Sequence, residues 1–420
     1  MKRILVLAAV LAVFVSNSFS ADLSLSDLSL SNFKVFGEAS IYGEYDGRDT
    51  SALQNDVLLG LSFEASSDVK FNLGISYIGL WGQYGMTGGQ VVSGNSENGL
   101  VNKLKVVLAN AEINNLFDVD GFSATIGRQF YGDEDSVVMY FGVRHYQLDI
   151  PRTLISSLDA ITLRYNKDNI SATALYADLN SSRAKNMVLT GIDGKYSNIG
   201  NVFDIGAYFY NIRDGYDLLY TGSGYLDNYT LLGVRPALHV KDFTASLEFI
   251  KAFNGNKVFD NTNEDLDTFL MKIDAAYDIK SINLTPRATF FMAGGRDDKT
   301  GDKSIMTAGN YVPAVIGCST LNQDDDGMVA YANTIITNVG VDYKYAKFIF
   351  SFDVFNYGRV KYAKNDDYFQ SEIDLSVSYE YSESTSLFLG IGERFGKNIN
   401  NVTVDFGDDA GIQAGMTYKF

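Results

Sequence analysis

Three groupings of side chains in this sequence have types and spacings that could do chemistry. The first is Ser136, His145 and Asp149, a hydroxyl, an imidazole and a carboxylate in one stretch. A nucleophile, a base and an orienting acid must lie within hydrogen-bond reach, but this spacing matches no catalytic motif, and His239 is the only other histidine. No enzyme is expected. The second is NQDDDGMVAYAN, residues 322–333, where Asn322, Asp324 and Asp326, then Gly327 and Val329, match the first half of an EF-hand-type calcium loop. Its twelfth position is Asn333, where a bidentate Glu belongs, and no helix is expected to flank it. Calcium is the single metal candidate, and no other cofactor is expected. The third grouping is the largest. Charged residues fall at every second position of extended and otherwise apolar segments.

In the third grouping the apolar positions form one face and the charges the other. Val57, Leu59, Leu61 and Phe63 alternate with Leu58, Gly60, Ser62 and Glu64; Phe269, Met271, Ile273 and Ala275 alternate with Leu270, Lys272 and Asp274; Ile373, Leu375 and Val377 alternate with Glu372, Asp374, Ser376 and Ser378. Period-two alternation is the signature of a strand with two unlike faces. The basic members of the polar face are Arg128, Arg164, Lys195, Arg235, Lys272, Arg287, Lys344 and Arg394. The acidic ones are Glu38, Glu44, Glu64, Glu112, Asp193, Asp204, Glu248, Asp274, Asp342, Asp353, Glu372, Asp374 and Glu380. Two roles fit such groups. They solvate an interior and pair among themselves, as Asp193 with Lys195 or Lys272 with Asp274, or facing rows of opposite sign filter solutes by charge and size.

The elements that must position these charges are strands. Segments at about 32–46, 55–65, 69–82, 101–115, 120–131, 159–167, 169–179, 187–197, 201–213, 228–240, 242–253, 267–278, 282–293, 332–345, 347–359, 370–381, 385–396 and 409–420 carry the pattern, about 18 in all. The connections alternate in length. Short ones include Ser66-Ser67-Asp68, Asp168, Ser197 to Gly200, Lys241, Lys280-Ser281, Ala346 and Ser382 to Ser384; long ones include 83–100, 132–158, 214–227, 254–266, 294–331, 360–369 and 397–408. Short turns on one side and long loops on the other predict an all-β, antiparallel transmembrane barrel with periplasmic turns and extracellular loops. A lumen inside that many strands is too wide to fill with side chains, so the apolar face meets lipid and the charged face meets water. Tyr165, Tyr196, Tyr277, Tyr343, Tyr345, Tyr379, Tyr381, Tyr418 and Phe420 end the alternate strands as an interfacial girdle. The last strand, DAGIQAGMTYKF, is predicted to close on residues 32–46.

Targeting and composition agree. Lys2 and Arg3, the apolar run Ile4 to Val15 and Ser18-Phe19-Ser20 before Ala21 read as a signal peptide over residues 1–20. Residues 21–31 read as a periplasmic lead-in, and 32–420 as an outer-membrane barrel of a diderm bacterium, with loop 132–158 folded inward. N-terminal sequencing of the mature protein should begin at Ala21, and a retained Met1 would remove the export argument. Only four prolines interrupt 420 residues, as long strands require. The single cysteine, Cys318, rules out an internal disulfide. A net charge of −17 argues against nucleic acid as a partner. The expected partners are outer-membrane lipid, the barrel-assembly machinery and small hydrophilic solutes, in a monomer or a trimer.

The loop 132–158 is the expected constriction. Asp133, Glu134 and Asp135 face Arg144 and Arg152 along it, and Val137, Val138, Met139, Tyr140 and Phe141 form an apolar run unusual for a solvent loop. The lumen wall is expected to carry Arg128, Arg164, Arg235, Arg287, Lys272, Glu112, Asp353, Glu372 and Asp374. The stretch ATIGRQFYGDEDSV (Ala124 to Val137), followed by SLDAITLRYN (Ser157 to Asn166), with Asn110-Ala111-Glu112 before it, resembles the 18-stranded barrels of the alginate-export type. That resemblance covers about residues 100–180 and implies a diffusion channel, in some cases for an anionic polysaccharide. Alginate itself does not suit a lumen in which acids outnumber arginines. The expected function is therefore a porin for passive diffusion of small hydrophilic solutes or ions, with anionic saccharides among them. The alternative is a plugged barrel acting as a surface-binding or structural protein.

Overall fold

Alternating β-branched, aromatic and polar residues with almost no proline leave the backbone one way to satisfy its hydrogen bonds in lipid, a closed sheet. The computed structural model describes residues 33–46, 50–81, 104–145, 153–178, 188–213, 226–227, 229–259, 262–297, 301–307, 322–323, 329–360, 369–397, 403–404 and 410–420. The expected signal peptide (residues 1–20) and lead-in (21–31) lie outside these residues. Eighteen long strands follow one another in the described chain: β1 (Phe33–Asp46), β2 (Thr50–Glu64), β3 (Val69–Trp81), β4 (Leu104–Ile113), β5 (Phe122–Gln129), β6 (Leu158–Lys167), β7 (Ile170–Asp178), β8 (Val188–Ile199), β9 (Phe203–Arg213), β10 (Tyr229–Val240), β11 (Phe243–Phe259), β12 (Thr262–Tyr277), β13 (Leu284–Ala293), β14 (Thr334–Tyr345), β15 (Phe348–Arg359), β16 (Phe369–Ser382), β17 (Thr385–Lys397) and β18 (Ala410–Lys419). Each pairs antiparallel with its sequence neighbours, and β1 pairs with β18 from Glu38↔Lys419 to Asp46↔Gly411, so the sheet closes. The Phe420 amide donates to the Gly37 carbonyl at 3.0 Å, and the Gly37 amide donates to the Phe420 carbonyl at 2.9 Å.

The predicted strands correspond one for one with these. Their lengths differ in places. β2 begins at Thr50 rather than near 55, and the predicted long loop 254–266 is largely strand. There β11 and β12 stay paired from Gly255↔Leu266 to Phe259↔Thr262, past a register shift after Ala252. Polar residues in that arm hide a hairpin that stands beyond the apolar band. Short pieces, Leu226–Asp227 and Thr403–Val404, extend the same sheet. The loop before β14 carries its own small sheet of Gly295–Asp297, Gly301–Thr307, Asn322–Gln323 and Val329–Ala332.

At the short-turn rim Asp168, Lys241 and Ala346 each adopt a positive φ in a tight reversal, a conformation ordinarily left to glycine or asparagine. The aromatic girdle sits at this rim. Phe348 packs at a tilt against Tyr379 with ring centroids 4.5 Å apart, and Tyr343 stacks on Phe350 and Tyr418 on Phe420. Outward residues such as Val35, Ile41, Ile192, Val339, Leu375 and Ile412 stand exposed in a band above it. Among the described residues no helix is long and apolar enough to cross a membrane.

Candidate functional site

The inner wall carries the charges, and one loop lies against it. After β5 the chain turns inward. Tyr131–Gly132 pairs with Tyr140–Phe141, and Val143–His145 pairs with Thr153–Ile155 before β6 begins. Gly132 has φ +94°, and a Cβ there would sit 2.0 Å from the Met139 carbonyl oxygen, so only glycine allows the fold-back. Between these arms, Val137, Val138 and Met139 are fully or almost fully buried, with Tyr131 and Phe141 beside them. They belong to one apolar cluster with inward residues of the wall, including Leu175, Leu189, Tyr208, Ile212, Leu231 and Ile250. The apolar run that is odd for a solvent loop therefore packs against an apolar patch on an otherwise polar face.

Polar contacts tie the loop to the wall at two points. The Tyr131 hydroxyl donates to Asp193 at 2.5 Å and lies 3.1 Å from the Tyr210 hydroxyl, which also reaches Asp193. Burial, with Tyr210 and Asp193 close by, pushes the Tyr131 hydroxyl well above its ordinary pKa, so it stays a proton donor. The second point is Glu248. It accepts from the Ser136 hydroxyl at 3.2 Å, the Val137 amide at 3.0 Å and the Tyr208 hydroxyl at 3.0 Å. Ser136 in turn accepts from the Val138 and Met139 amides, which fixes it as a cap of the loop. The candidate nucleophile is thus a buried structural hydroxyl. Of its supposed partners, Asp149 and the His145 side chain lie outside the described residues.

The tip acids Asp133, Glu134 and Asp135 are exposed beneath this anchor. Asp133 approaches Arg235 at 3.7 Å, and the Arg235 guanidinium lies 5.4 Å over the Tyr208 ring. Arg144 pairs with Leu154 through its backbone, but its side chain and the whole of Arg152 lie outside the described residues. Below the loop opens a cavity of about 600 Å³. Its walls include Lys195, Arg235, Lys272 and Arg287 on the basic side and Asp133, Asp135, Asp204, Glu248 and Asp274 on the acidic side.

Most expected wall residues face inward, and they pair. Arg287 reaches Asp353 at 2.5 Å and Asp342 at 3.1 Å, with Asn338 bonded to both Arg287 and Asp353. Lys272 binds Asp274 at 3.0 Å, and Glu112 meets Lys70 at 3.5 Å. Arg164 stands opposite Ser123 on the inner face. Glu372 and Asp374 are buried on the inner face of β16, with Tyr357 donating to Glu372. The suggested Asp193–Lys195 pair does not form. Lys195 binds Asp204 at 3.0 Å across the β8–β9 hairpin, which leaves Asp193 to the two tyrosines. Of the calcium candidates, Asn322 sits in a two-residue strand paired with Ala330, while Asp324 and Asp326 lie outside the described residues.

Arg128 is a correction. Its charge suggests the lumen wall in a strand that alternates weakly, but it shares the outward face with Ile126 and Ile161, held by Asp159 through two bonds of 2.8 and 2.5 Å. It also donates to the Val106 carbonyl at 3.1 Å, beside the irregular β3–β4 register. The physical reason lies on either side of it. Gly127 takes φ +113°, and Gln129 is the inward residue, buried and bonded to the carbonyls of Thr125, Gly127 and Ala160 and to the Thr162 hydroxyl. The Gly-Arg-Gln triplet is thus a structural device that aims the chain into the loop.

No family model matches the chain, and no curated relative does. Solved structures do match. Pseudomonas aeruginosa OpdK with vanillate is similar over 93% of this chain and 99% of its own, with a TM-score of 0.60 and 10% identity. This is the fold of the OprD and Occ porins. Acinetobacter baumannii OccAB4 gives a TM-score of 0.58 at 13% identity over 92% of this chain and 97% of its own. Pseudomonas aeruginosa OccK2 (OpdF), in complex with glucuronate, gives 0.58 at 12% identity over 93% and 98%. At these identities the shared property is the 18-stranded barrel.

Proposed function

We propose that this chain is an outer-membrane porin that passes small hydrophilic solutes passively. The observation that carries this reading is the anchored loop over a charged lumen: a closed barrel, a segment fastened inside it by hydrogen bonds, and a cavity below whose walls bear facing groups of both signs. Such an arrangement narrows the passage and orients a solute across it without consuming energy. Lys195, Arg235, Lys272 and Arg287 would hold a carboxylate while hydroxyls met the acids, so small sugar acids belong to the proposed solute class. The short-turn rim would face the periplasm and the β11–β12 arm the exterior. Outer-membrane lipid would cover the apolar band, and the assembly machinery would act on β18. The Gly-Arg-Gln device supports kinship with the alginate-export type, although the acids of the cavity favour small solutes over a polyuronate.

The purified protein, inserted into a planar bilayer in a concentrated potassium chloride solution, should give discrete current steps, and liposomes carrying it should swell in sugar acids. The second reading, a plugged barrel, draws on the apolar cluster that runs from β6 to β15 and fills part of the lumen. An absence of both steps and swelling from folded protein would favour the plug.

A further inference from the structure

Glu248 occupies an unusual place. It lies on the inner wall, directly opposite Lys272 in the ladder and close to Arg235, yet it is buried and directs its hydrogen-bonding capacity elsewhere. Its two oxygens take the Ser136 hydroxyl and the Val137 amide from the loop, and the Tyr208 hydroxyl from the neighbouring wall. A buried carboxyl that takes three donors is held firmly in place, and a backbone amide left without its partner there is costly. One side chain on the barrel thereby fixes the height of the loop tip, and with it the position of Asp133 over Arg235.

We propose that Glu248 is a positioning residue for the channel: a clasp that holds the inward loop down, with Tyr131 on Asp193 as its second fastening, so that the bore is set by two wall carboxylates. This rests on the porin reading and adds what regulates its opening. When the Glu248 clasp is open, the apolar residues Val137 to Met139 still favour the wall, so the loop lifts at its tip while the Tyr131 end stays fastened. The channel then gains a second, larger conductance level. Each bond lost between the loop and the carboxylate should raise the population of that level by roughly tenfold.

The test uses the full-length folded protein with Glu248→Ala, Glu248→Gln, Ser136→Ala and Tyr208→Phe. Single-channel records should show the larger level visited often in Glu248→Ala, less often in Ser136→Ala, and seldom in Glu248→Gln, which can still accept the Val137 amide. Tyr208→Phe removes a bond to Glu248 that does not touch the loop, and it should keep the wild-type level. Hydrogen exchange supplies a readout independent of current: the Val137 amide should lose protection in Glu248→Ala and keep it in Tyr208→Phe. Ser136 lies outside the barrel strands, so its variant covers a failure of Glu248→Ala to fold. Wild-type conductance levels together with unchanged amide protection in both Glu248→Ala and Ser136→Ala would overturn the clasp. Silent wild-type channels with lost protection in Glu248→Ala would overturn the porin reading and leave the clasp standing.

Discussion

Val339→Arg should strip most of the folded barrel from the membrane. Val339 lies on the outward face of β14, 65% exposed, paired with Ala288 and Val354. It lies six positions before Tyr345 at the short-turn rim. At about 3.3 Å per residue and a tilt near 40° that places it roughly 15 Å up, near the middle of an apolar band about 25 Å tall. An arginine facing lipid at the midplane costs about 2–4 kcal/mol, a shift of roughly 30- to 900-fold in the folding equilibrium. Met416→Arg, on the outward face of β18 near the same rim, should cost less because its side chain can reach the interface. The measurement is the heat-modifiable, folded fraction in isolated outer membranes. Equal and normal yields for both variants would mean that this face does not meet lipid.

The second large effect is on ion selectivity. Asp133, Glu134 and Asp135 sit together at the exposed tip of the inward loop, two of them lining the cavity. A unit charge acts on an ion about 10 Å away with about 0.4 kcal/mol in water, and one Debye length at about 0.1 M salt reduces that to about 0.15. Three acids attract a cation by about 0.45 kcal/mol and repel an anion equally, which is roughly fivefold in the permeability ratio. We expect the wild-type channel to prefer cations mildly, since acids outnumber lysines and arginines around the cavity. Neutralising the three acids together, as D133N, E134Q and D135N, should shift the reversal potential in a salt gradient toward chloride by about that factor. An unmoved reversal potential would show that these acids do not control the passage, and a chloride-selective wild type would mean that the basic wall does.

How far each residue's place is legible from the chain alone differs from one residue to the next. The alternation of Val57, Leu59 and Leu61 against Ser62 and Glu64 decides which face meets lipid, because a side-chain period of two leaves no third choice. The same holds for Lys272 with Asp274, two residues apart on one face and therefore adjacent. Arg128 obeys the same period, sharing a face with Ile126, but its charge hides this because the residues between, Gly127 and Gln129, mark neither face as apolar. The clasp escapes this logic. Tyr131, Asp193, Tyr210, Ser136, Tyr208 and Glu248 are drawn from separate parts of the chain, with bonded partners up to 112 residues apart. Glu248 reads only as one more inward acid. A signal for the inward loop is nevertheless present. The upper halves of several strands are apolar on both faces: Leu231-Leu232, Phe249-Ile250, Phe269-Leu270-Met271 and Phe290-Phe291-Met292. A barrel wall facing only water has no reason to place Leu231, Ile250, Leu270 and Phe291 inward, where all are buried.

The sequence by itself determines the strand count, the two unlike faces, the short and long rims and the girdle of tyrosines, since each follows from local periodicity and the demand that lipid-exposed backbone be fully paired. Tertiary structure alone decides which carboxylates remain on the lumen wall and which become fastenings. Lys195 turns to Asp204, Arg287 gathers Asp342 and Asp353, and Glu248 takes the loop. Those partnerships depend on which strands the closed cylinder sets side by side and on where one loop falls inside it, distances that no spacing along the chain encodes.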